Sequence, residues 1–522
     1  MTNRINAVIV ALFAAMCGIA IFSYSHQLTD PYILPKWCFT IGAGCLWLTV
    51  WIIAKLCTNR SCFNRTWAGC IIALLCVLEA VYGITKWEGW SSTGIKGSFD
   101  NPAGFAVCLC IGIPFSLYFN KIVKGKQGKI ITLLSVLLMT IGVILSESRS
   151  GIISFFVMAI ITGYKKLTCP PMIKRSIVSL SLIIILVGSY WVKKDSADGR
   201  LLIWNCAWEM IKDAPLTGHG SGSFRAHYMD YQAAYIEAHP DNHYVTLADN
   251  VLSPFNEYIH FTLNFRLIGL FLIFIGTGYL WWKNRNRKDI DGKVAAFCLY
   301  GIGIFSLFSY PFTYPFTWIA VLFCIATWIK PLCKFSFPNS YKRLLYCCFV
   351  IACGIIAHKL YERLAAEYRW SGIAYTSNNE NLEVYEQLIP ILGKGPYFLY
   401  NYAVALRDNK NINKAFEVAT TCRKYWADYD LELLLGDILK TQEQWEQSEI
   451  HFKKASNMCP SRFVPLYYLM EIYRESGDKK QARNIAHLIV QKPVKIQSSK
   501  IRLIKAKAKE TLKQYHTNDN LP

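Results

Sequence analysis

A few of the charged side chains at the ends of long uncharged stretches in this chain have chemistry to offer. Arg149 opens one apolar run and Arg200 follows the end of the next. A guanidinium stays ionised and presents a planar fork of donors that fits phosphate or carboxylate oxygens. An arginine at such a boundary therefore either grips an anion or anchors its helix near the headgroups. Farther along, Ser253, Glu257 and His260 lie close together, with His239 and His243 just upstream. A carboxylate whose pKa is raised by burial, or an imidazole, can take a proton from a hydroxyl. A glutamate at a helix start is as often a structural cap. Arg266 falls inside an apolar run, where a charge is expensive enough to make function the default reading, and Glu79 is a candidate partner for it.

The elements that must position these residues are membrane helices. Uncharged runs of bilayer length occur at about Ile5 to Ser23, Trp37 to Ala54, Trp67 to Ile84, Ala103 to Phe119, Ile130 to Leu145, Ser150 to Tyr164 and Ile177 to Val192. Others follow at about Leu263 to Trp282, Val294 to Tyr310, Phe312 to Ile329 and Leu344 to Ala357, giving roughly eleven spans. Charge becomes evenly mixed after about residue 358, so the reading is a membrane domain over 1–358 and a second domain over 359–522.

Lysine and arginine set the orientation. With the N-terminus inside, the cytoplasmic loops collect about 21 basic and about 2 acidic residues, from Arg4, Lys55 to Arg65, Lys121 to Lys129, Lys165 to Arg175, Lys283 to Lys293 and Lys330 to Arg343. The opposite loops hold about 9 basic and about 13 acidic ones. An odd number of spans places the second domain outside. The same asymmetry accounts for the net charge of +21, which is a property of the cytoplasmic loops and excludes a nucleic-acid partner.

Most of the 19 cysteines lie inside apolar runs, where they act as small fillers. Cys206, Cys422 and Cys459 fall in the outer loops or tail without metal-ligand spacing, so neither a zinc site nor a disulfide framework is expected.

From about Pro396 to Val494 a pattern returns every ~34 residues, the period of tetratricopeptide helix pairs. Ala415, Ser448 and Ala482 occupy the small-residue position of the second helix, and Ala403, Gly436 and Met470 that of the first. Phe452 supplies bulk, Pro460 ends the second repeat, and Asn381 to Leu392 reads as a preceding helix. Such pairs stack into a solenoid whose concave face takes peptides or proteins, so a protein partner is expected there. The basic tail from Lys492 to Lys513 reads as a cap.

The outer loop at about 193–261 is too long for a connector. Leu201, Trp204, Trp208 and Ile211 have the spacing of an amphipathic helix suited to a membrane surface, and Gly218, Gly220 and Gly222 mark a bend. In order along the chain stand GSFDNPAGFA from Gly97, SESRSG from Ser146, GRLLIWNCAWEMIKDAPLTGHGSGSF from Gly199 and FNEYIHFTLNFRLIGL from Phe255. Together these resemble the O-antigen ligase and polymerase superfamily, which includes bacterial protein O-oligosaccharyltransferases.

The resemblance implies an all-α polytopic fold of the GT-C kind, and transfer of a glycan from a polyprenyl diphosphate to an acceptor hydroxyl at the outer face of a bacterial inner membrane, without metal or other cofactor. It assigns Arg149 and Arg200 to the diphosphate, with Asn256 and Arg266 as further substrate contacts. Family members commonly carry a histidine before the motif asparagine as base. Phe255 stands there in this chain, which leaves Glu257 first and His260 second for that task. Where the family usually has an acidic residue and a glycine, this chain has Asn264 and Arg266. The acceptor is a lipid-linked core, a growing glycan or a protein hydroxyl. The rival classes are a transporter of the same lipid-linked glycan, which predicts ionisable residues near the midplane and internal repeats among the spans, and a non-catalytic scaffold for envelope glycan assembly.

Overall fold

The computed structural model describes residues 2–58, 63–90, 94–164, 168–215, 218–329, 339–374 and 380–518, and all regular structure among them is helical. The basic stretches at Arg60, Lys165 to Lys166 and Lys330 to Lys334, which contribute to the charge rule, lie outside the described residues, as does the Leu-Thr pair of the third motif at 216–217. The chain forms two compact units: Met1–Val192, Phe255–Tyr258 and Phe271–Tyr368 in the first, and Lys193–Pro254, Ile259–Leu270 and Arg369–Pro522 in the second.

The first unit contains α1 (Thr2–Phe22), α2 (Ile33–Thr58), α3 (Arg65–Thr85), α4 (Pro102–Phe115), α5 (Phe119–Ile122), α6 (Lys126–Leu145), α7 (Arg149–Tyr164) and α8 (Pro171–Val192). After α9 (Lys194–Asp213) and α10 (Ser223–Ala238) of the second unit come α11 (Glu257–Asn284), α12 (Ile290–Ser306), α13 (Pro315–Trp328) and α14 (Asn339–Ser371). Every apolar run coincides with a helix, yet among the described residues eight helices rather than eleven are by themselves long and apolar enough to cross a membrane. Helices α7 and α13 have 16 and 14 residues, and at ~1.5 Å per residue they fall short of a hydrocarbon core of ~30 Å.

Helix α4 is apolar on all sides and buried on nearly all of them, as a helix at the centre of a bundle must be. It packs against α3, α6, α7, α12 and α13. Small residues permit the close approach: a Cβ on Gly83 would lie 2.4 Å from the Phe105 ring, and one on Gly104 would lie 2.4 Å from the Tyr314 ring. At the periphery α8 buries no residue.

The second unit combines α9 and α10 with α15 (Glu380–Leu392), α16 (Pro396–Asp408), α17 (Ile412–Arg423), α18 (Tyr429–Thr441), α19 (Trp445–Met458), α20 (Val464–Glu475), α21 (Lys479–Gln491) and α22 (Ser499–Asn518). Helices α16 to α21 form three successive pairs. The residues singled out by the repeat spacing are at their contacts: Ala403, Ala415, Ser448, Phe452, Met470 and Ala482 are fully buried, and the Ser448 hydroxyl donates to the Gly436 carbonyl at 2.8 Å. Cys422 and Cys459 are free thiols.

Helix α9 buries Leu202, Ile203, Cys206, Ala207 and Met210, and packs on α10. Its expected apolar stripe is divided: Ile211 is buried, the Trp204 indole donates to the Pro254 carbonyl at 2.9 Å, and Leu201 and Trp208 stay exposed. Lys193–Pro254 of the outer loop, grouped by sequence with the membrane spans, is thus part of the same compact unit as the C-terminal helices. Helix α10 lies against α19. Arg423 of α17 bridges the Asp230 carboxylate, at 2.5 and 2.6 Å, and the fully buried Glu432 of α18, at 2.7 Å. Lys454 reaches Asp230 at 2.7 Å, and the His451 ring lies 2.6 Å from Glu432. The buried Gln232 amide donates to the Met458 carbonyl at 2.7 Å, Asn250 donates to Asp428 at 2.6 Å, and the Ala427 amide donates to the Arg225 carbonyl at 3.0 Å.

Burial raises the Glu432 carboxyl, but the His451 hydrogen bond and the charges of Arg423 and Lys454 outweigh it and hold the group below the usual carboxylate range. A depressed carboxyl contributes stability that is complete above its unfolded value and is lost as pH falls through its folded value. The protection of α10 against hydrogen exchange is therefore expected to weaken in acid below the usual carboxylate range, and Glu432→Gln removes that part of the slope. Arg423→Ala strands a buried carboxylate and is expected to cost about 3 kcal/mol, roughly a hundredfold in exchange protection over 223–238. Mass-spectrometric exchange on the full chain in detergent checks both, and protection within threefold of wild type in Arg423→Ala would remove the network from this role.

Candidate active site

At one end of the first unit three turns interlock, and each belongs to a motif of the sequence. The first, 97–101, is built on a buried acid. Glu79 of α3 is fully buried, and its carboxylate takes hydrogen bonds from the Ser98 amide at 2.8 Å and the Ser98 hydroxyl at 2.9 Å. Gly97 has φ +53°, and a Cβ there would sit 2.0 Å from the Glu79 carboxylate. Beside it, Lys36 of α2 is fully buried, donates to the Ile21 carbonyl and lies 4.9 Å from the Phe99 ring centroid. Glu79, the sequence's candidate partner for Arg266, is thus engaged within its own unit by Ser98.

The turn ends in Asp100 and Asn101. The Asn101 side-chain oxygen caps α4, accepting from the Ala103 and Gly104 amides at 2.9 and 3.0 Å. Its amide group donates to the Asp100 carboxylate at 2.7 Å and to the Tyr314 hydroxyl at 2.8 Å, with the Tyr310 hydroxyl at 3.3 Å. The Tyr314 hydroxyl donates to the other Asp100 oxygen at 2.8 Å.

The second turn, 146–149, leads into α7. Glu147 has φ +52°, a left-handed conformation uncommon outside glycine, and Arg149 follows as the first residue of the helix, half-buried. This turn abuts the first: the Ile95 amide donates to the Leu145 carbonyl at 3.2 Å, and a Cβ on Gly94 would fall 2.2 Å from the Ser146 carbonyl oxygen.

The third turn, 255–257, leads into α11. Phe255, the position where the resembled family carries histidine, has φ +50°, and its ring lies 5.5 Å from that of Tyr310. Asn256 is buried and its side-chain oxygen accepts from the Tyr258 amide at 2.9 Å, so the role it is seen to play is that of a cap. The Glu257 carboxylate accepts from the Phe312 amide at 3.0 Å and so holds the short turn Pro311–Thr313.

The other expected residues stand in the second unit. Arg200 is half-buried on α9, and His260 is half-buried on the first part of α11. Helix α11 breaks at Arg266, which is exposed and has φ +75° and ψ 167°. The glycine usual in the family would meet that conformation without strain. Asn264 takes the Gly222 amide at 3.1 Å and lies 3.3 Å from the Ser223 hydroxyl, so the residue replacing the family's acid receives the N-terminus of α10. Gly218, Gly220 and Gly222 all have positive φ, as the bend requires. Among the described residues no three His, Cys, Asp or Glu side chains gather to hold a metal ion.

Asp100, Asn101, Tyr310, Tyr314 and Lys36 were not singled out by sequence as site residues. The available signal was the GSFDNPAGFA stretch itself, whose acidic and amide side chains precede a helix. Residues 134–274 match the family model described as O-Antigen ligase, a stretch that holds Arg149, Arg200, Asn256, Glu257, His260 and Arg266. No curated protein gives a significant match. The family match, with eight helices among the described residues long and apolar enough to cross a bilayer, supports a multi-pass membrane enzyme that processes glycans.

Because Gly97 combines a left-handed backbone with contact against a buried carboxylate, Gly97→Ala is expected to destabilise the first unit by more than about 2 kcal/mol. Thermal melting of the purified chain in detergent measures this, and a transition superimposable on wild type would show that the turn is free to shift.

Proposed function

We propose that this chain transfers an oligosaccharide from a polyprenyl diphosphate to an acceptor hydroxyl at the outer face of a bacterial inner membrane. The observation that carries the reading is Arg149, which opens α7 directly after the left-handed turn at Glu147, within the stretch that matches O-antigen ligase. A guanidinium at a helix N-terminus favours a diphosphate over neutral groups. In this reading the acceptor oxygen attacks the anomeric carbon, its proton passes to a base, and the bond from that carbon to the diphosphate oxygen breaks. The electron pair leaves on the diphosphate, whose charge the arginines neutralise, and the anomeric carbon inverts. Arg149, Arg200, Asn256 and Arg266 are the proposed donor contacts, with Glu257 and His260 as bases from the aligned motif. No metal or other cofactor is assigned.

Helices α11 to α14 lie between the loop and the C-terminal helices, and an even number of crossings returns the chain to the side it left, in keeping with the contacts of α10. With the short α7 counted as a crossing, seven precede the loop, and the excess of lysine and arginine in the opposite loops makes the loop side the outer one. The C-terminal helices are assigned as tetratricopeptide-type repeats, with a protein acceptor or partner as their further ligand. The acceptor class is a lipid-linked core, a growing glycan or a protein hydroxyl.

The test is transfer by the purified full chain from a radiolabelled polyprenyl-diphosphate oligosaccharide to these acceptors. Labelled product is expected without added metal, and Arg149→Ala is expected to lower kcat/KM by about a hundredfold or more. Movement of the donor across liposomes without any transfer would replace the transferase by a transporter, and an unchanged rate in Arg149→Ala would remove the clamp.

A further inference from the structure

Resting on the transferase reading, we propose that Asp100 is the carboxylate that takes the proton of the acceptor hydroxyl. The turn that carries it is held by contacts from three helices. Below it lie a fully buried Glu79, bonded to the Ser98 amide and hydroxyl, and a fully buried Lys36 bonded to the Ile21 carbonyl. The Ser98 hydroxyl is also 2.8 Å from that same Ile21 carbonyl, so α1, α2 and α3 all hold the turn. Withdrawing an acid and an amine from water is costly even after relaxation, and a turn that merely joined α3 to α4 would not require it.

Above this foundation Asp100 is half-buried and held from two sides, by the Tyr314 hydroxyl at 2.8 Å and the Asn101 amide at 2.7 Å. Each bond uses one lone pair of a different oxygen, so each oxygen keeps another for a substrate hydroxyl. Tyr314 is itself fixed, 99% buried by its 1% exposure, with its ring against Gly104 and 5.1 Å from Phe99. The same Asn101 amide reaches toward the Tyr310 hydroxyl at 3.3 Å, and the Tyr310 ring packs on Phe255. Asp100 is therefore connected through two side chains to the position where Phe255 offers no proton acceptor. The turn abuts the one that leads to Arg149. Glu257 is placed differently, since one of its oxygens receives a main-chain amide, at Phe312, and so fixes a turn.

The step balances simply. The acceptor O–H proton moves to an Asp100 oxygen as the acceptor oxygen bonds to the anomeric carbon. The carbon–oxygen bond to the diphosphate breaks, and that pair of electrons leaves with the polyprenyl diphosphate. Product release returns the proton from Asp100 to water.

The experiment compares wild type, Asp100→Asn, Asp100→Glu and Tyr314→Phe as full chains in detergent, using a labelled polyprenyl-diphosphate oligosaccharide for both transfer and equilibrium binding. Asp100→Asn is expected to lose about a hundredfold or more in kcat while its donor affinity stays within about threefold, and Asp100→Glu to recover part of the loss. Should the Asn variant not fold, Tyr314→Phe still decides the matter. It removes one of the two groups that orient Asp100 and keeps the buried ring, so kcat is expected to fall about tenfold or more with donor affinity within about threefold, whereas loss of packing would lower both. A kcat within tenfold of wild type in Asp100→Asn, a rate loss matched by an equal loss of donor binding, or an unchanged kcat in Tyr314→Phe would overturn the proposal. A wild-type chain that binds donor and transfers to no acceptor defeats the transferase reading instead.

Discussion

A carboxylate placed among apolar helices must be hydrogen-bonded, because leaving it bare costs far more than any single packing contact returns. Glu79 meets that constraint with Ser98, and the geometry of the 97–101 turn follows from it. Glycine stands at 97 because the backbone there has a positive φ and no side chain fits against the carboxylate, and the chain then delivers Asn101 to cap α4 and Asp100 to the hydroxyl of Tyr314. Tyr314 in turn starts α13 and fills the gap beside Gly104. One buried charge thereby fixes the ends of several helices at once, an arrangement that gives rigidity where irregular backbone would otherwise be soft.

Backbone strain gathers at the same motifs. Five described non-glycine residues have positive φ, and Glu147, Phe255 and Arg266 among them fall within the second and fourth motifs. Lys410 and Glu443 are the others, each between the two helices of a C-terminal pair, where a tight reversal accounts for it. Conformations of this kind persist only where the surroundings over-determine them. Around Glu147 and Phe255 the surroundings are neighbouring turns and tyrosine rings, and around Arg266 they are the glycine bend at 218–222.

The C-terminal pairs hold something nearer than an external ligand. Helix α10 of the outer loop lies on α19, and its Asp230 and Gln232 reach α17 and the end of α19 through a set of buried or half-buried polar contacts. A loop of that length would be costly to order by itself. Packing against a rigid stack supplies the apolar and ionic contacts it lacks.

The sequence by itself determined the apolar runs, the helical character of every one of them, the repeat of small residues at the C-terminal helix contacts, and the motifs in which Arg149, Arg200, Asn256, Glu257, His260 and Arg266 stand. These features are legible because bilayer length, helical period and residue size are local properties that recur along the chain. Only the tertiary structure decided that Glu79 serves Ser98, that Asn256 caps a helix and Glu257 holds the 311–313 turn, that Asp100 joins Tyr314, and that the outer loop belongs with the C-terminal helices. Asp100 and Tyr314 are separated by 214 positions. No periodicity encodes such a pair, because a hydrogen bond between distant side chains exists only after the helices that carry them have packed.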